Sequence, residues 1–335
     1  MKKLFSILLF FAMLVSPACE GTFTGDEPIF EKHEPIVFAA SDVSQEHIDI
    51  TLKWFQRASY TWFKKDSPAF QKFNPLYLVI IGTDIDAANK LNEEFCNYKD
   101  HISKKCNIFN GNGGDRFAEY AREGGAAITS LRGRDGYQLM IMGSSRPGPD
   151  ELDYGYVVLH ELFHTYQNAY IALSSENQTQ QFYKDLGGKM TGDSDNTVWW
   201  SEGVANFLAM SLYAKQPEIE DGFLKMKMRW WLASDHHNPG ISVKEEYLTN
   251  DKKLYDYTFD DESQYIARNM GDWFIAYLIN DFGEQAIFDF YAQLPIIGNW
   301  EETFTTIFDK PYREYVDEFD EWLQQPNDEL LKIIP

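Results

Sequence analysis

Residues 154–173 read YGYVVLHELFHTYQNAYIAL, and this stretch determines how the rest of the chain is interpreted. Its apolar residues recur at the spacing of a helix, and residues 160–164 within it form an HExxH pattern. Residues four apart on a helix share one face, so His160 and His164 can bind one Zn²⁺ through neutral ring nitrogens. Glu161 projects from the same turn and can hold and deprotonate a water on that ion. The alternative is a solvated helix face with two hydrogen-bonded histidines.

A second stretch, WWSEGVANF at residues 199–207, offers the third protein ligand that a catalytic zinc requires. Apolar residues surround Glu202, which predicts that this glutamate lies on a largely buried helix. A buried carboxylate costs several kcal/mol unless it is paired or bound to metal, and a nearby Zn²⁺ would remove that cost. The alternative is a glutamate in the first turn of a helix capped by Ser201, where the helix macrodipole stabilises it.

Together the two stretches resemble the gluzincins, which are zinc metallopeptidases that combine HExxH with a downstream glutamate. The second stretch is similar to the W-x-x-E-G-x-A segment of aminopeptidase-N-like proteins. The resemblance implies a zincin-like fold, a Zn²⁺ cofactor and hydrolysis of peptide bonds in a peptide or protein substrate. Carried over residue by residue, it implies His160, His164 and Glu202 as zinc ligands, with Glu161 as the general base.

The resemblance implies roles for two further residues. Asn206 matches an aspartate that orients a zinc-bound histidine in thermolysin-like enzymes, and an asparagine can still accept that hydrogen bond. Tyr265 matches a tyrosine that donates a hydrogen bond to the oxyanion near the start of the following helix. The alternatives are a helix-surface position for Asn206 and ordinary amphipathic packing for Tyr265. Four other side chains compete for the oxyanion role: Tyr255, Tyr257, His236 and His237.

The resemblance covers residues 137–325 and has one clear departure. The aminopeptidases carry a G-x-M-x-N segment that holds the amine of the substrate, whereas residues 139–144 here read LMIMGS. Amino-terminal trimming is therefore unsupported. The strand expected at residues 137–142 is either the sheet edge along which an extended peptide binds or a plain structural strand.

The first residues are typical of a bacterial export signal. Lys2 and Lys3 precede an apolar run at residues 4–15 that is too short to span a bilayer, and small residues follow at 16–18. Residues 1–18 are therefore predicted to be a signal peptide that directs the chain to the cell envelope or out of the cell. Cys19 directly follows, as in bacterial lipoproteins, which predicts either a lipid anchor on Cys19 or plain secretion. This anchor is the only membrane attachment that we expect.

The other two cysteines are Cys96 and Cys106. In an oxidising compartment they can close a short loop with a disulfide, worth about 2–3 kcal/mol in the chain-entropy model. One lipidated and two paired cysteines would leave none over. The alternative is two unpaired small core residues.

The rest of the chain divides by its sequence pattern. Residues 19–35 are predicted to be a tether, residues 36–150 an α/β lobe and residues 151–335 a zinc-binding helical lobe. Asp42 or Ser44 can cap a helix running to about residue 64, and Asp84 can cap one running to about residue 95. The fold class expected is α+β, in which a mixed N-terminal lobe with a small sheet leads through the HExxH helix into a mostly helical C-terminal lobe. Strands are expected at residues 36–39, 76–81, 126–131 and 137–142.

Composition restricts the classes of function. The chain has 335 residues, is 44% hydrophobic and 16% aromatic, and carries a net charge of −22. The apolar content excludes general disorder, and the acidity argues against a nucleic-acid partner, which needs a basic face. Together with the export signal and the resemblance to gluzincins, this composition predicts an exported zinc-dependent peptidase.

Two alternatives to the peptidase remain open. One is a non-catalytic exported protein whose zinc is structural or whose site is a relic. A closed structural site would need a fourth ligand, for which Asp153, His236 and His237 are candidates. The other takes the many aromatic residues as a glycan-binding surface, although such residues more often fill a core.

Overall fold

Short apolar runs build a mixed sheet at the start of the fold. The computed structural model describes residues 34–63, 76–99, 116–128, 138–187, 195–233 and 242–335, which belong to one compact unit. The strands are β1 (Ile36–Ala39), β2 (Leu76–Ile81), β3 (Ala126–Ile128) and β4 (Gln138–Gly143). Their order is β1-β2-β4-β3, with β3 antiparallel to β4 and the other pairs parallel.

The position of β4 corrects one expectation from the sequence. The strand expected at residues 137–142 was a candidate sheet edge, but β4 lies between β2 and β3. Every residue of β4 is buried, as is every residue of β2. Strands covered on both faces are apolar throughout, which explains the continuous LMIM run. Among the described residues, the edge on this side of the sheet is β3.

Helices make up most of the described chain, so the coarse α+β expectation is confirmed. Those before the HExxH segment are α1 (Gln45–Trp62), α2 (Ile85–Lys99) and α3 (Arg116–Glu123). The HExxH helix is α4 (Tyr154–Ile171). The remaining α-helices are α5 (Glu176–Leu186), α6 (Trp199–Ala214), α7 (Phe223–Ala233), α8 (Val243–Thr249), α9 (Gln264–Phe282), α10 (Gln285–Ile297), α11 (Trp300–Phe308), α12 (Tyr312–Leu323) and α13 (Asn327–Leu330). Short 3₁₀ helices span Leu254–Asp256 and Leu331–Ile333.

Helix starts follow the predicted capping chemistry. Ser44, rather than Asp42, caps α1, since its hydroxyl accepts a hydrogen bond of 3.2 Å from the amide of His47. Asp42 instead accepts two backbone amides, of Thr83 and Asp84, at 2.8 Å each in the turn after β2. Asp84 caps α2 as predicted, because its carboxylate accepts the amide of Asp86 at 2.8 Å.

Two hydrophobic clusters cover the two faces of the sheet. Side chains such as Leu78 and Met140 point into the larger cluster, which continues through α1, α4, α6 and α9. Their neighbours in sequence, such as Val79 and Ile141, point into a smaller cluster with residues of α2 and α3. Because alternate residues of a strand point to opposite faces, one face of the sheet packs against the larger cluster, which includes α4. The side of α4 that turns away from this cluster carries polar groups.

A close approach of two helices determines where Glu202 lies. Gly203 on α6 faces Gly271 on α9, and a Cβ built at Gly203 would lie 2.6 Å from the carbonyl carbon of Gly271. Only glycine permits backbones to meet at this distance. The contact brings the first turn of α6 and the middle of α9 together beside α4.

Candidate metal centre

Three side chains from two helices converge at one point. The Nε2 atoms of His160 and His164, one turn apart on α4, lie 3.0 Å from each other. The carboxylate of Glu202 on α6 places Oε2 3.8 Å from Nε2 of His160 and Oε1 3.7 Å from Nε2 of His164. One ligand atom from each residue lies within 4.8 Å of the others, so this group could hold a metal ion.

Both helices that carry this group are packed in the core. Leu159, Leu162 and Phe163 are fully buried around the two histidines, as are Trp199 and Trp200 before Glu202. Glu202 occupies the first turn of α6, which was the alternative reading of its sequence, and it also belongs to the cluster. The first-turn position is confirmed, but the N-cap residue is Val198 rather than Ser201, and it makes no side-chain cap hydrogen bond. A carboxylate in the first turn is stabilised by the helix macrodipole.

The hydrogen bonds of Gln167 fix the tautomer of His164. The amide nitrogen of Gln167 donates to the carbonyl oxygen of Ser201 and to the hydroxyl of Tyr291, at 3.0 Å each. A carbonyl oxygen only accepts, so the amide oxygen of Gln167 must face Nδ1 of His164, 2.6 Å away. Nδ1 therefore carries the proton, which leaves the lone pair of Nε2 available for a metal. Gln167 was not among the predicted site residues, although its position three residues after His164 places it on the same side of a helix.

His160 is held in its neutral form. Burial above all, together with the neighbouring His164 and Arg268, lowers the pKa of His160 to about 3, although Glu202 and Asn206 oppose the shift. A neutral imidazole is the state that binds metals. Asn206 lies one turn after Glu202 and accepts a hydrogen bond of 3.3 Å from the hydroxyl of Tyr156. The orienting role that the resemblance implies for Asn206 stays a prediction, since Nδ1 of His160 has no hydrogen-bond partner among the described residues.

A buried carboxylate lies behind Asn206. Asp272 on α9 is fully buried, and burial raises its pKa well above the ordinary value. The charge of Glu202 raises that pKa further, while Asn206 and Arg268 counteract it. Asp272 gave no signal in the sequence, because nothing about its position in a helix indicates which partners the fold supplies.

Arg268 is the most direct addition to the predicted site. Its Nη1 donates to Oε2 of Glu202 at 2.9 Å, and its Nη2 donates to the amide oxygen of Gln264 at 3.4 Å. The side chain is 39% exposed, compared with 10% for Glu202. The positive charge offsets the cost of burying the Glu202 carboxylate. Its position in α9, three residues after Tyr265, was the only sequence signal.

His160, His164 and Glu202, called here the candidate metal-binding group, border an open cleft of about 630 Å³. Glu161 lines this cleft beside His160 and is 8% exposed. The cleft walls come from the β3 end, the loop before α4, and helices α4, α6, α7 and α9. Their lining residues include Gly125, Ala126, Pro147, Tyr156, Val157, Asn206, Trp231, Glu262, Gln264, Tyr265, Arg268 and Asn269.

Tyr265 lies in the cleft, but its hydroxyl points to another partner. It donates to both carboxylate oxygens of Glu246, at 2.8 and 2.7 Å. Of its competitors, Tyr257 is fully buried and Tyr255 packs its ring 5.3 Å from that of Tyr312. The other two, His236 and His237, lie outside the described residues.

Several other predictions are either not matched by the structure or fall on residues that it does not describe. Asp153, at the start of α4, was a candidate fourth ligand. Its carboxylate instead forms a salt bridge of 2.6 Å with Nζ of Lys227. Cys96 lies on α2 and is disulfide-bonded. Its expected partner Cys106 lies outside the described residues, as does Cys19, so this pairing and the lipid anchor stay predictions. In the part of the chain that is described, no helix has the length and apolar character to cross a membrane.

Comparison of the chain with protein-family models, with curated proteins and with solved structures finds no match.

Proposed function

We propose that this protein is a zinc-dependent peptidase with a zincin-like site, in which Glu161 acts as the general base. The observation that carries the proposal is the convergence of His160, His164 and Glu202 beside Glu161 at the wall of an open cleft. Two imidazoles and one carboxylate, with a further coordination position left for solvent, are the ligand set typical of catalytic zinc. Among the described residues, the cluster holds these three candidate ligands and no fourth.

The spacing of the three donors suits Zn²⁺. Tetrahedral bonds of about 2.0–2.2 Å place neighbouring donor atoms about 3.3 Å apart. The two imidazole nitrogens lie 3.0 Å apart, and each has a different oxygen of Glu202 nearby, Oε1 at 3.7 Å from His164 and Oε2 at 3.8 Å from His160. With one ligand atom from each residue, the three donors lie within 4.8 Å of one another. Small side-chain rotations would bring all three to bonding distance.

The residues of the cleft can carry out peptide hydrolysis. When bound, Zn²⁺ would supply a lowered pKa for water and polarisation of the scissile carbonyl group. The Glu161 carboxylate takes a proton from the water, whose oxygen then bonds to the carbonyl carbon. The same carboxylate returns that proton to the amide nitrogen as the carbon–nitrogen bond breaks. The products are a carboxylic acid and an amine, and transfer of the acid's proton to the amine gives a carboxylate and an ammonium group.

The substrate that we propose is an extended peptide or a protein segment. Gly125 and Ala126, at the start of the edge strand β3, line the cleft beside Glu161. An extended peptide can pair with an exposed strand edge through main-chain hydrogen bonds. The peptide-binding edge that we propose is therefore β3, a role for which residues 137–142 were one candidate. With the export signal predicted at residues 1–18, the substrate would be met in the cell envelope or outside the cell.

Metal analysis combined with a peptide-library digest tests the proposal. The wild-type protein should hold one zinc per chain and cleave peptides in a chelator-sensitive manner. Glu161→Gln should keep the zinc and lose about 10²–10⁴-fold in turnover, because the proton acceptor is gone. Glu314→Gln, an exposed control on α12, should leave both unchanged. Full activity in Glu161→Gln would refute the general-base assignment.

One observation favours a second candidate function, a non-catalytic protein with a relic or structural site. The Arg268 guanidinium already compensates the charge of Glu202, as it would in a site that no longer needs a metal. Zinc bound without turnover on any library peptide, or failure to bind zinc at all, would support this alternative over the peptidase.

A further inference from the structure

Resting on the peptidase function proposed above, we infer that Arg268, rather than Tyr265, donates the hydrogen bond that stabilises the carbonyl oxygen of the scissile peptide bond. The resemblance to gluzincins assigns this task to a tyrosine at position 265. The contacts of the two side chains point the other way.

Arg268 reaches the centre of the metal-binding group. Its Nη1 lies 2.9 Å from Oε2 of Glu202, and the same oxygen lies 3.8 Å from Nε2 of His160. A donor bordering a ligand carboxylate also borders the place where a substrate carbonyl must approach the ion. Oxyanion stabilisation requires a donor within hydrogen-bond distance of that developing charge.

The guanidinium is held in place yet keeps donors for a ligand. Gln264 accepts from Nη2 at 3.4 Å, and the ring of Phe259 lies under the group, 5.6 Å from its Cζ. A guanidinium has five N–H groups, and the structure shows hydrogen bonds from Nη1 and Nη2 alone within the described ranges. With 39% of its side chain exposed in the cleft, Arg268 can offer further N–H groups to a substrate.

Tyr265 has a different commitment. Both oxygens of Glu246 accept from its hydroxyl, at 2.8 and 2.7 Å. Turning this hydroxyl toward a substrate would break a hydrogen bond to a carboxylate, which is about twice as strong as a neutral one. The tyrosine therefore fits a role in positioning α8 against α9 better than a role as oxyanion donor.

Charge also selects the arginine. Among the described residues that line the cleft, Arg268 is the only cation, and the acids Glu161 and Glu262 line the same cleft. A cationic donor gains most when the carbonyl oxygen becomes an oxyanion, so it favours the transition state over the bound substrate. The competing role for Arg268 is that it only neutralises Glu202, which would make it a positioning residue for the metal.

The affinity of a tetrahedral analogue separates these two roles. The probe is a phosphinic pseudopeptide built on the best substrate from the library digest, and its dissociation constant is measured by calorimetry on protein shown by metal analysis to be zinc-saturated. Chelator competition gives the zinc affinity separately. The variants are Arg268→Gln, Arg268→Lys and Tyr265→Phe, with Arg229→Gln as a matched control, since Arg229 is 61% exposed and pairs with Asp328.

We expect Arg268→Gln to weaken binding of the analogue to the zinc-saturated protein about 100-fold or more. Arg268→Lys should recover part of the loss, since it keeps the charge but not the planar fork. Tyr265→Phe should cost less than about 10-fold, and Arg229→Gln should match wild type. A urea-unfolding midpoint for each variant shows that it is folded.

Two results would overturn the inference while the peptidase stands. One is loss of zinc affinity in Arg268→Gln with unchanged analogue binding at zinc saturation, which would make Arg268 a positioning residue for Glu202. The other is a larger loss in Tyr265→Phe than in Arg268→Gln, which would restore the tyrosine. A wild-type protein that binds no zinc or cleaves no peptide would instead refute the proposed function, and this inference would fall with it.

Discussion

At the scale of single residues, an amide decides which nitrogen of His164 is free for a metal. Gln167 cannot rotate its amide without pointing its oxygen at the carbonyl oxygen of Ser201. The proton on Nδ1 of His164 is therefore imposed by the backbone of α6, the helix that also carries Glu202. One hydrogen-bond network thus ties the tautomer of one ligand to the position of another.

Gln167→Leu should weaken zinc binding while the protein stays folded. The change removes the acceptor for Nδ1 of His164, so the ring can adopt the tautomer that blocks Nε2. Loss of such an outer contact typically costs 10–100-fold in metal affinity, or about 1.4–2.7 kcal/mol. Competition with a chromogenic chelator measures the effect. Gln181→Leu serves as the control, since Gln181 is exposed on α5 and bonds Asp185 at 2.7 Å. Wild-type affinity in Gln167→Leu would contradict the tautomer argument.

Three of the candidate site residues could be predicted from helical spacing in the sequence. His160, Glu161 and His164 lie in one turn or two, where local geometry determines the arrangement. Glu202 could be named through the resemblance, and the structure brings it to the two histidines. Arg268 and Asp272 could not be found, because their contacts with Glu202 and Asn206 depend on how α9 packs, and no local pattern encodes that packing.

At the scale of elements, the fit between α6 and α9 rests on two glycines. A Cβ at Gly203 would also lie 2.7 Å from the carbonyl oxygen of Gly271, and neither backbone can yield without moving its helix. The ligand Glu202 directly precedes Gly203, and Asp272 directly follows Gly271. Any separation of the two helices would therefore move Glu202 relative to His160 and His164.

Gly203→Ala should destabilise the protein by up to about 2 kcal/mol, because overpacking costs about 1–3 kcal/mol and the better helix propensity of alanine returns about 1 kcal/mol. It should also weaken zinc binding, since Glu202 moves with α6. Urea unfolding and chelator competition measure the two effects. Gly148→Ala is the matched control, because a Cβ there would meet its nearest atoms at an ordinary 3.4 Å. Equal stability of both variants would show that the helices have room to separate.

The contact between α1 and α4 contains a titratable group. Nε2 of His47 lies 2.8 Å from the hydroxyl of Tyr154, the first residue of α4, and Thr51 lies 2.6 Å from the same hydroxyl. Burial lowers the pKa of His47, while the charges of Asp150 and Asp42 raise it by less. Protonation of His47 is therefore disfavoured in the folded state.

Acidification should cost stability through His47. Below the unfolded pKa of about 6.5, the unfolded chain binds a proton that the folded chain does not, so the free energy of unfolding falls as the pH drops through 6.5 toward the folded pKa. Above 6.5 the effect vanishes. His47→Gln should show a smaller decrease in urea midpoint between pH 7.5 and 5.5 than wild type, both measured with chelator. Parallel decreases would mean that His47 titrates normally.

At the scale of the whole molecule, the apolar pattern predicted where strands lie but not how they are ordered. The runs at 36–39 and 76–81 are strands with those bounds, and the described part of the run at 126–131 is the strand Ala126–Ile128, since residues 129–131 lie outside the described residues. The run at 137–142 carried an unused signal, since residues apolar on both faces indicate an interior strand. Strand order depends on crossovers through distant helices, which periodicity does not encode.

Zinc should stabilise the entire fold, because its ligands join α4 to α6 and α6 packs on α9. A ligand that binds only the native state adds about 2.7 kcal/mol at 100 times its Kd, which for a chain of this size raises Tm by about 5 °C. Chelator-treated wild type should show this rise on adding zinc, as measured by calorimetry. Glu161→Gln should show the same rise, since it keeps all three ligands and loses only the base. His164→Ala should show little or none. A rise in His164→Ala equal to that of wild type would place the stabilising zinc at some other site. A rise in wild type and Glu161→Gln alone would show that zinc binding depends on the ligand His164 and not on the base Glu161.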